Sequence, residues 1–123
     1  MIVVSDTSCI SNLLTIGHAE LLTRLFGEVI IPPAVDKELR RFHSVIPNFL
    51  KVVTPTQSSL LVRLSRELDT GEAEAICLAS ELRADRLLID EKVGRRVAQR
   101  EGLAVIGIVG VLVTAKQDRK SVV

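Results

Sequence analysis

Aromatic residues are nearly missing from this sequence: three Phe, no Tyr and no Trp, 2% of the chain. A ring-built core is excluded, so Leu, Ile, Val and Ala must fill it, and few rings remain for nucleobases to stack on. Cysteine is as scarce. Cys9 and Cys77 fall in expected helices among apolar neighbours and lack metal-type spacing, so they read as buried reduced thiols rather than a disulfide. Neither sign of charge dominates, with 16 basic and 15 acidic residues, so net charge names no partner. No apolar run reaches membrane-spanning length and no signal-peptide pattern opens the chain, from which a cytoplasmic protein with no membrane contact is expected. GxGxxG and Walker patterns are absent, and Gly107 and Gly110 read as points where a helix approaches a strand closely. His18 and His43 have no helical partner at ligand spacing and read as surface or cap residues.

What is present is a globular balance, 47% apolar and 25% charged over 123 residues, which suits one compact domain without linker or repeat. The IVV at 2–4 reads as a buried strand. Helical sequence follows from about Ser8 to Phe26, broken by Gly17, with Ala19 to Leu25 as a second amphipathic piece. EVII at 28–31 is a second strand, and Pro32-Pro33 ends it while presetting a helix through about Phe42. KVV, after a VIPNF loop, is a possible short strand. Helices are expected from about Ser58 to Leu68 and over DTGEAEAICLASELRAD. RLLID at 86–90 repeats the strand-then-aspartate pattern, KVGRRVAQREG is a helix closed by Gly102, LAVIG a further strand and VGVLVTAKQDR the last helix. Short apolar strands alternating with helices predict an α/β fold with a mainly parallel sheet of four or five strands, covered on both faces. Ligands of such folds bind outside the carboxyl ends of the strands, where Asp6 and Asp90 stand.

Asp6 and Asp90 each have an alternative use as the N-cap of a following helix, worth about 1 kcal/mol. Glu38 is harder to dismiss, because it occupies the i+3 position of an apolar stripe formed by Val35, Leu39 and Phe42. A carboxylate there points inward or along the core's edge, and needs a cation, strong donors, a salt bridge to an Arg or a raised pKa. Asp69 and Glu72 fit a capping box, whereas Glu74 flanks the stripe of Ala75, Leu78, Ala79 and Leu82 with no cap to make. The two glutamates point in nearly opposite directions and should not share an ion. Glu74 is taken as the ligand, although Glu72 borders the same stripe. If Asp6, Glu38, Glu74 and Asp90 meet, their charges need a compensating cation, and oxygen donors without His or Cys suit Mg²⁺ or Mn²⁺. The implied chemistry is metal-dependent hydrolysis of a phosphodiester.

Five blocks, VVSDTSCISNL, IIPPAVDKELRR, LDTGEAEAICLA, RLLIDEKVGRRVA and VIGIVGVLVTAK, occur in order over nearly the whole chain. Together they resemble the PIN-domain ribonucleases, in particular the VapC-like toxins of prokaryotic toxin-antitoxin pairs. The resemblance implies one PIN-like domain over residues 1–123, folded as a three-layer α/β/α sandwich. It implies Asp6, Glu38, Glu74 and Asp90 as the catalytic, metal-binding carboxylates, with Glu72 and Glu91 as auxiliary acids. Thr7 and Ser8 match the small hydroxyl residues beside the first acid, where they hold a water or Asp6 itself. It further implies RNA as substrate, Mg²⁺ or Mn²⁺, a homodimer, and a small antitoxin protein that blocks the site. Such relatives continue past AK with a further helical segment, whereas this chain stops at AKQDRKSVV, so a shortened C-terminus is expected.

Setting the four ligands aside raises the formal charge from +1 by four units to +5. Lys92, Arg95, Arg96 and Arg100 follow Asp90 on one helix, and Arg40 and Arg41 follow Glu38; all six are candidates to hold a nucleic-acid backbone. Their alternative is a solvated helix face with salt bridges to Glu91 or Glu101. Two other classes compete with a toxin ribonuclease. One is a truncated or degenerate PIN-like module that binds RNA or protein without cutting. The other is a phosphoacceptor domain, disfavoured because the third and fourth acids are glutamate and aspartate on separate elements.

Overall fold

The computed structural model describes residues 1–56 and 58–121; residues 122 and 123 of the expected short tail lie outside them. Along the chain run β1 (Val3–Ser5), α1 (Thr7–Thr15), α2 (Glu20–Phe26), β2 (Val29–Ile31), α3 (Pro33–Phe42) and β3 (Leu50–Val52). They are followed by α4 (Ser58–Ser65), α5 (Thr70–Leu82), β4 (Arg86–Leu88), α6 (Lys92–Arg100), β5 (Val105–Ile106) and α7 (Ile108–Ser121). Gly17, at φ +76°, makes the left-handed turn that separates α1 from α2. Pro33 opens α3, where its missing N–H would have had no partner anyway.

The strands form one all-parallel sheet in the order β3-β2-β1-β4-β5. Successive side chains on a strand point to opposite faces, and both faces here are covered. Val3, Val29, Ile31 and Leu88 pack beneath α1, α2, α3 and α7 through Ile10, Leu13, Leu22, Leu39 and Val111. Val4, Leu87 and Ile89 pack on the other side with Leu64, Ile76, Leu78 and Val97 from α4, α5 and α6. The result is the expected α/β/α sandwich, and burial on both faces is why the strands read as continuous apolar runs.

The strand order reverses between β1 and β4, which lie side by side with Ser5 opposite Leu88. A crevice opens at such a reversal beyond the carboxyl ends of the strands, and Asp6 and Asp90 flank it. Two expectations shift. α4 ends at Ser65, short of Leu68, which closes a turn by donating its N–H to the Leu64 carbonyl at 3.0 Å. The apolar stripe puts Phe42 on the buried face of α3, but Val35 and Leu39 alone are buried there and Phe42 is 67% exposed, because α3 runs out past the edge of the core at its last residue.

Candidate functional site

Asp6 is fixed by the sheet. Its N–H donates to the Leu88 carbonyl at 2.9 Å, extending the β1–β4 pairing by one residue before Thr7 begins α1. It occupies the N-cap position of α1 but its side chain makes no cap hydrogen bond, so capping does not account for this aspartate. The side chain is nearly enclosed, at 4% exposure. Burial pushes its pKa up from 3.8 to about 7; the charges of Asp69, Glu38 and Glu91 push the same way, and the Thr7 N–H pulls it part of the way back.

Glu38 reaches the same place from α3. A Cβ added at buried Gly71, in the first turn of α5, would run into Glu38 Oε1 and lie 3.5 Å from Asp6 Oδ1. Three elements thus converge on a position where only glycine leaves room for both carboxylates. Burial and the neighbouring Asp69 raise the pKa of Glu38; a hydrogen bond from the Thr7 side chain and, after it, the charge of Arg41 oppose them. Asp6, Glu38, Asp69 and Glu91 line one cavity of about 290 Å³ with Thr7, Ser8, Ser11, Asn12 and Phe42. The Ser8 Oγ is buried there without a hydrogen-bond partner, and the Thr7 hydroxyl faces the Glu38 carboxylate.

The two glutamates of α5 separate as their spacing requires. Asp69 caps α5 by accepting from the Glu72 N–H at 2.8 Å, and Glu72 reaches back to the Asp69 backbone, completing the capping box. The Glu72 and Asp69 carboxyl groups also hydrogen-bond to each other. Burial, that bond and the charges of Asp69 and Asp6 push Glu72 up to about 8. Glu74 instead accepts from the Ala34 N–H at 3.1 Å, serving the start of α3; Glu72, Glu74 and Asp90 all stand outside the lining of the Asp6 cavity. Capping therefore belongs to both glutamates, and it is Glu72 that is electrostatically joined to Asp6.

Asp90 is held differently from Asp6. Glu91, not Asp90, is the N-cap residue of α6, and Asp90 Oδ1 accepts from the Ile108 N–H at 2.7 Å, capping α7. Its Oδ2 is buried without a partner. Cys9 feels both aspartates: burial, then the charges of Asp90 and Asp6, push its thiol up to about 12, which keeps it protonated and inert. No disulfide forms among the described residues.

Ion pairing sorts the basic residues. Arg100 binds Glu67 at 2.6 Å, and Arg40 binds Asp36 at 3.0 Å, so these two have acidic partners of their own. Lys92, Arg95 and Arg96 line a cavity with Asp90 and Gln99. If RNA is held there, Arg95→Gln with Arg96→Gln should weaken its binding across all sequences and flatten the salt dependence of log Kd by about 0.7 for each phosphate no longer neutralised. Arg100→Gln should leave that slope unchanged. Filter binding of a single-stranded RNA over a salt series checks both. His43 is the C-cap residue of α3 and His18 lies 3.6 Å from Glu20, the surface and cap roles expected of them.

Sequence reasoning makes Asp69 a cap and puts Phe42 in the core, and so names neither for the site. Asp69 does cap α5, yet it also faces Asp6. An acid next to an expected strand-end cluster in a parallel sheet is the signal that could have included it.

Three comparisons with known proteins bear on this arrangement. A family model described as a PIN domain (DUF3368) matches residues 2–121. A solved PilT N-terminus domain protein from the hyperthermophilic archaeon Sulfolobus solfataricus P2 superimposes with a TM-score of 0.66, over 94% of this chain and 93% of that one. At 19% identity the likeness is one of fold. No curated protein matches the chain. The chain belongs to the PIN domain family, whose members are typically nucleases.

Proposed function

We propose that this protein is a metal-dependent endoribonuclease and the toxin of a toxin-antitoxin pair. The observation that carries the reading is the meeting of Asp6 and Glu38 over Gly71 at the strand-order reversal, with both carboxyl groups held above their ordinary pKa. Acids crowded in this way gain from a cation. Among the described residues, no group of three or more His, Cys, Asp and Glu side chains is drawn together tightly enough to hold a metal ion by itself. Mg²⁺ does not require one, since it is commonly held by one or two carboxylates with water and substrate phosphate completing the shell. The donors here are all oxygen, and the unpartnered Asp90 Oδ2 and Ser8 hydroxyl have bonding capacity unspent. The residues fit such an ion.

Asp6 and Glu38 would hold it, with Asp90 and, from α5, Glu72 rather than Glu74 as supporting acids. When bound, Mg²⁺ or Mn²⁺ supplies charge neutralisation for an in-line attack of water on a phosphodiester. The chain's own groups do the rest. Asp6 surrenders its proton as the cation binds. Thr7 and Ser8 orient water or a phosphate oxygen by hydrogen bonds. Lys92, Arg95 and Arg96 hold the strand. The toxin assignment, with its antitoxin, homodimer and cytoplasmic setting, rests on the ordered motif blocks; no helix among the described residues is long and apolar enough to cross a membrane.

The test is cleavage of a single-stranded RNA with and without Mn²⁺. Glu38→Gln and Asp90→Asn should each abolish the Mn²⁺-stimulated activity while the melting curve stays cooperative, and undiminished cleavage in both would sink the reading. One observation favours a second reading, a non-catalytic PIN-like binding module. Asp69 and Glu72 hydrogen-bond to each other, so that corner is satisfied by a shared proton without any cation. Calorimetry detecting no Mn²⁺ binding would select it.

A further inference from the structure

Phe42 is out of place as an apolar residue. Phe26 and Phe49 pack partly buried against the core, whereas Phe42 stands 67% exposed at the last position of α3. A lone exposed apolar side chain is ordinary. This one, however, lines the same cavity as Asp6, Glu38, Asp69 and Glu91, beside the polar Ser11 and Asn12 of α1. Glu38 and Phe42 are four residues apart on α3, so ring and carboxylate share a helix face with Cβ atoms about 5–6 Å apart. The position is held firmly. His43 Nε2 and Ser11 Oγ hydrogen-bond at 2.8 Å, tying the end of α3 to α1, and the His43 N–H closes the helix on the Leu39 carbonyl at 2.8 Å.

We infer that Phe42 is a stacking platform for one unpaired nucleobase of an RNA strand whose phosphodiester lies at Asp6 and Glu38. The inference rests on the nuclease reading above and adds to it the residue that positions the strand. The acidic wall of the cavity repels a polyanion, so an uncharged contact on that side holds the strand through its base rather than its phosphates. A flat hydrocarbon ring meets this need, because every base has a π-face to lay on it. Only an unpaired base can do so, which selects single strands and loops over duplex. One helical turn between ring and carboxylate suits the step from a phosphodiester to the base of its own nucleotide. Asn12, with both a donor and an acceptor, stands where it can meet a base edge.

The absence of Trp from the chain makes the test direct, because Phe42→Trp introduces a single indole at the proposed contact. Its fluorescence should be quenched by an adenylate RNA about eight nucleotides long in Mg²⁺, and unchanged by an abasic strand of the same length. Phe42→Ala should raise KM for cleavage of a single-stranded RNA about tenfold or more while kcat stays within about threefold, and Phe42→Trp should restore KM. Absent quenching by adenylate, equal quenching by the abasic strand, or an unaltered KM in Phe42→Ala would each overturn the stacking role even if the protein cleaves normally. Base-dependent quenching in a protein that cuts nothing would support the stacking role and remove the nuclease reading alone.

Discussion

Asp6→Asn is expected to abolish cleavage and, at the same time, to stabilise the metal-free protein at alkaline pH. The carboxyl group of Asp6 is pushed from 3.8 to about 7 by burial and by three neighbouring acids. The folded chain therefore holds a proton that the unfolded chain gives up over that interval. Stability contributed this way is complete below about pH 4 and is lost as the pH rises toward 7, on the order of 4 kcal/mol for a single group. Glu72, pushed up to about 8, acts in the same direction. Asn keeps the shape and cannot ionise. In EDTA at pH 8 the variant should melt on the order of 10 °C above the parent, while at pH 4 the two should coincide. Saturating Mn²⁺ should raise the parent's melting temperature at pH 8 and leave the variant unmoved, because the cation takes the place of the proton. Cleavage should fall by at least about 10²-fold to 10³-fold. A parent that melts identically at pH 5 and pH 8 in EDTA would show that Asp6 carries no such proton.

Gly71→Ala is expected to damage activity far more than stability. The added Cβ would occupy the space of Glu38 Oε1, the far end of a flexible side chain that can swing away at little cost. Ala in a helical turn is somewhat favoured over Gly, so the net change in unfolding free energy should stay within about 1 kcal/mol. Glu38 would nevertheless leave Asp6, and misplacing a catalytic group by about 1 Å costs on the order of 10²-fold in rate. Chemical denaturation alongside Mn²⁺ titration calorimetry separates the two effects. Unfolding that is strongly destabilised, or Mn²⁺ affinity equal to the parent's, would contradict the role assigned to this glycine. The substitution removes no acid, so it tests the shape of the site rather than its charge.

Much of the fold was legible from local pattern. Pro33 announced the start of α3, Gly17 the break between α1 and α2, and the apolar triplets the buried parallel strands. These features are local because each depends on one residue's backbone freedom or on a short run of side chains. Phe42 escaped the pattern for a physical reason: periodicity assigns a face to a residue but cannot say how far along the helix the core extends. The capping question divided in the same way. Asp69 and Glu72 sit three apart in one segment, and their box was readable from spacing alone. Asp90 caps α7, 18 residues further on, a pairing that sequence order conceals.

By itself, the sequence determined the α/β class, the approximate elements, and a set of acids at strand and helix ends for which capping remained an alternative use. Which of those acids meet was decided by tertiary structure. Placing β4 beside β1 creates the reversal in strand order, and packing α3 against both α1 and α5 carries Glu38 over Gly71 to Asp6. The same packing leaves Glu74 at the start of α3 and engages Arg100 with Glu67. Convergence of charge from distant segments is a property of the packed chain, because the desolvation that raises the pKa of Asp6 exists only once the layers close over it.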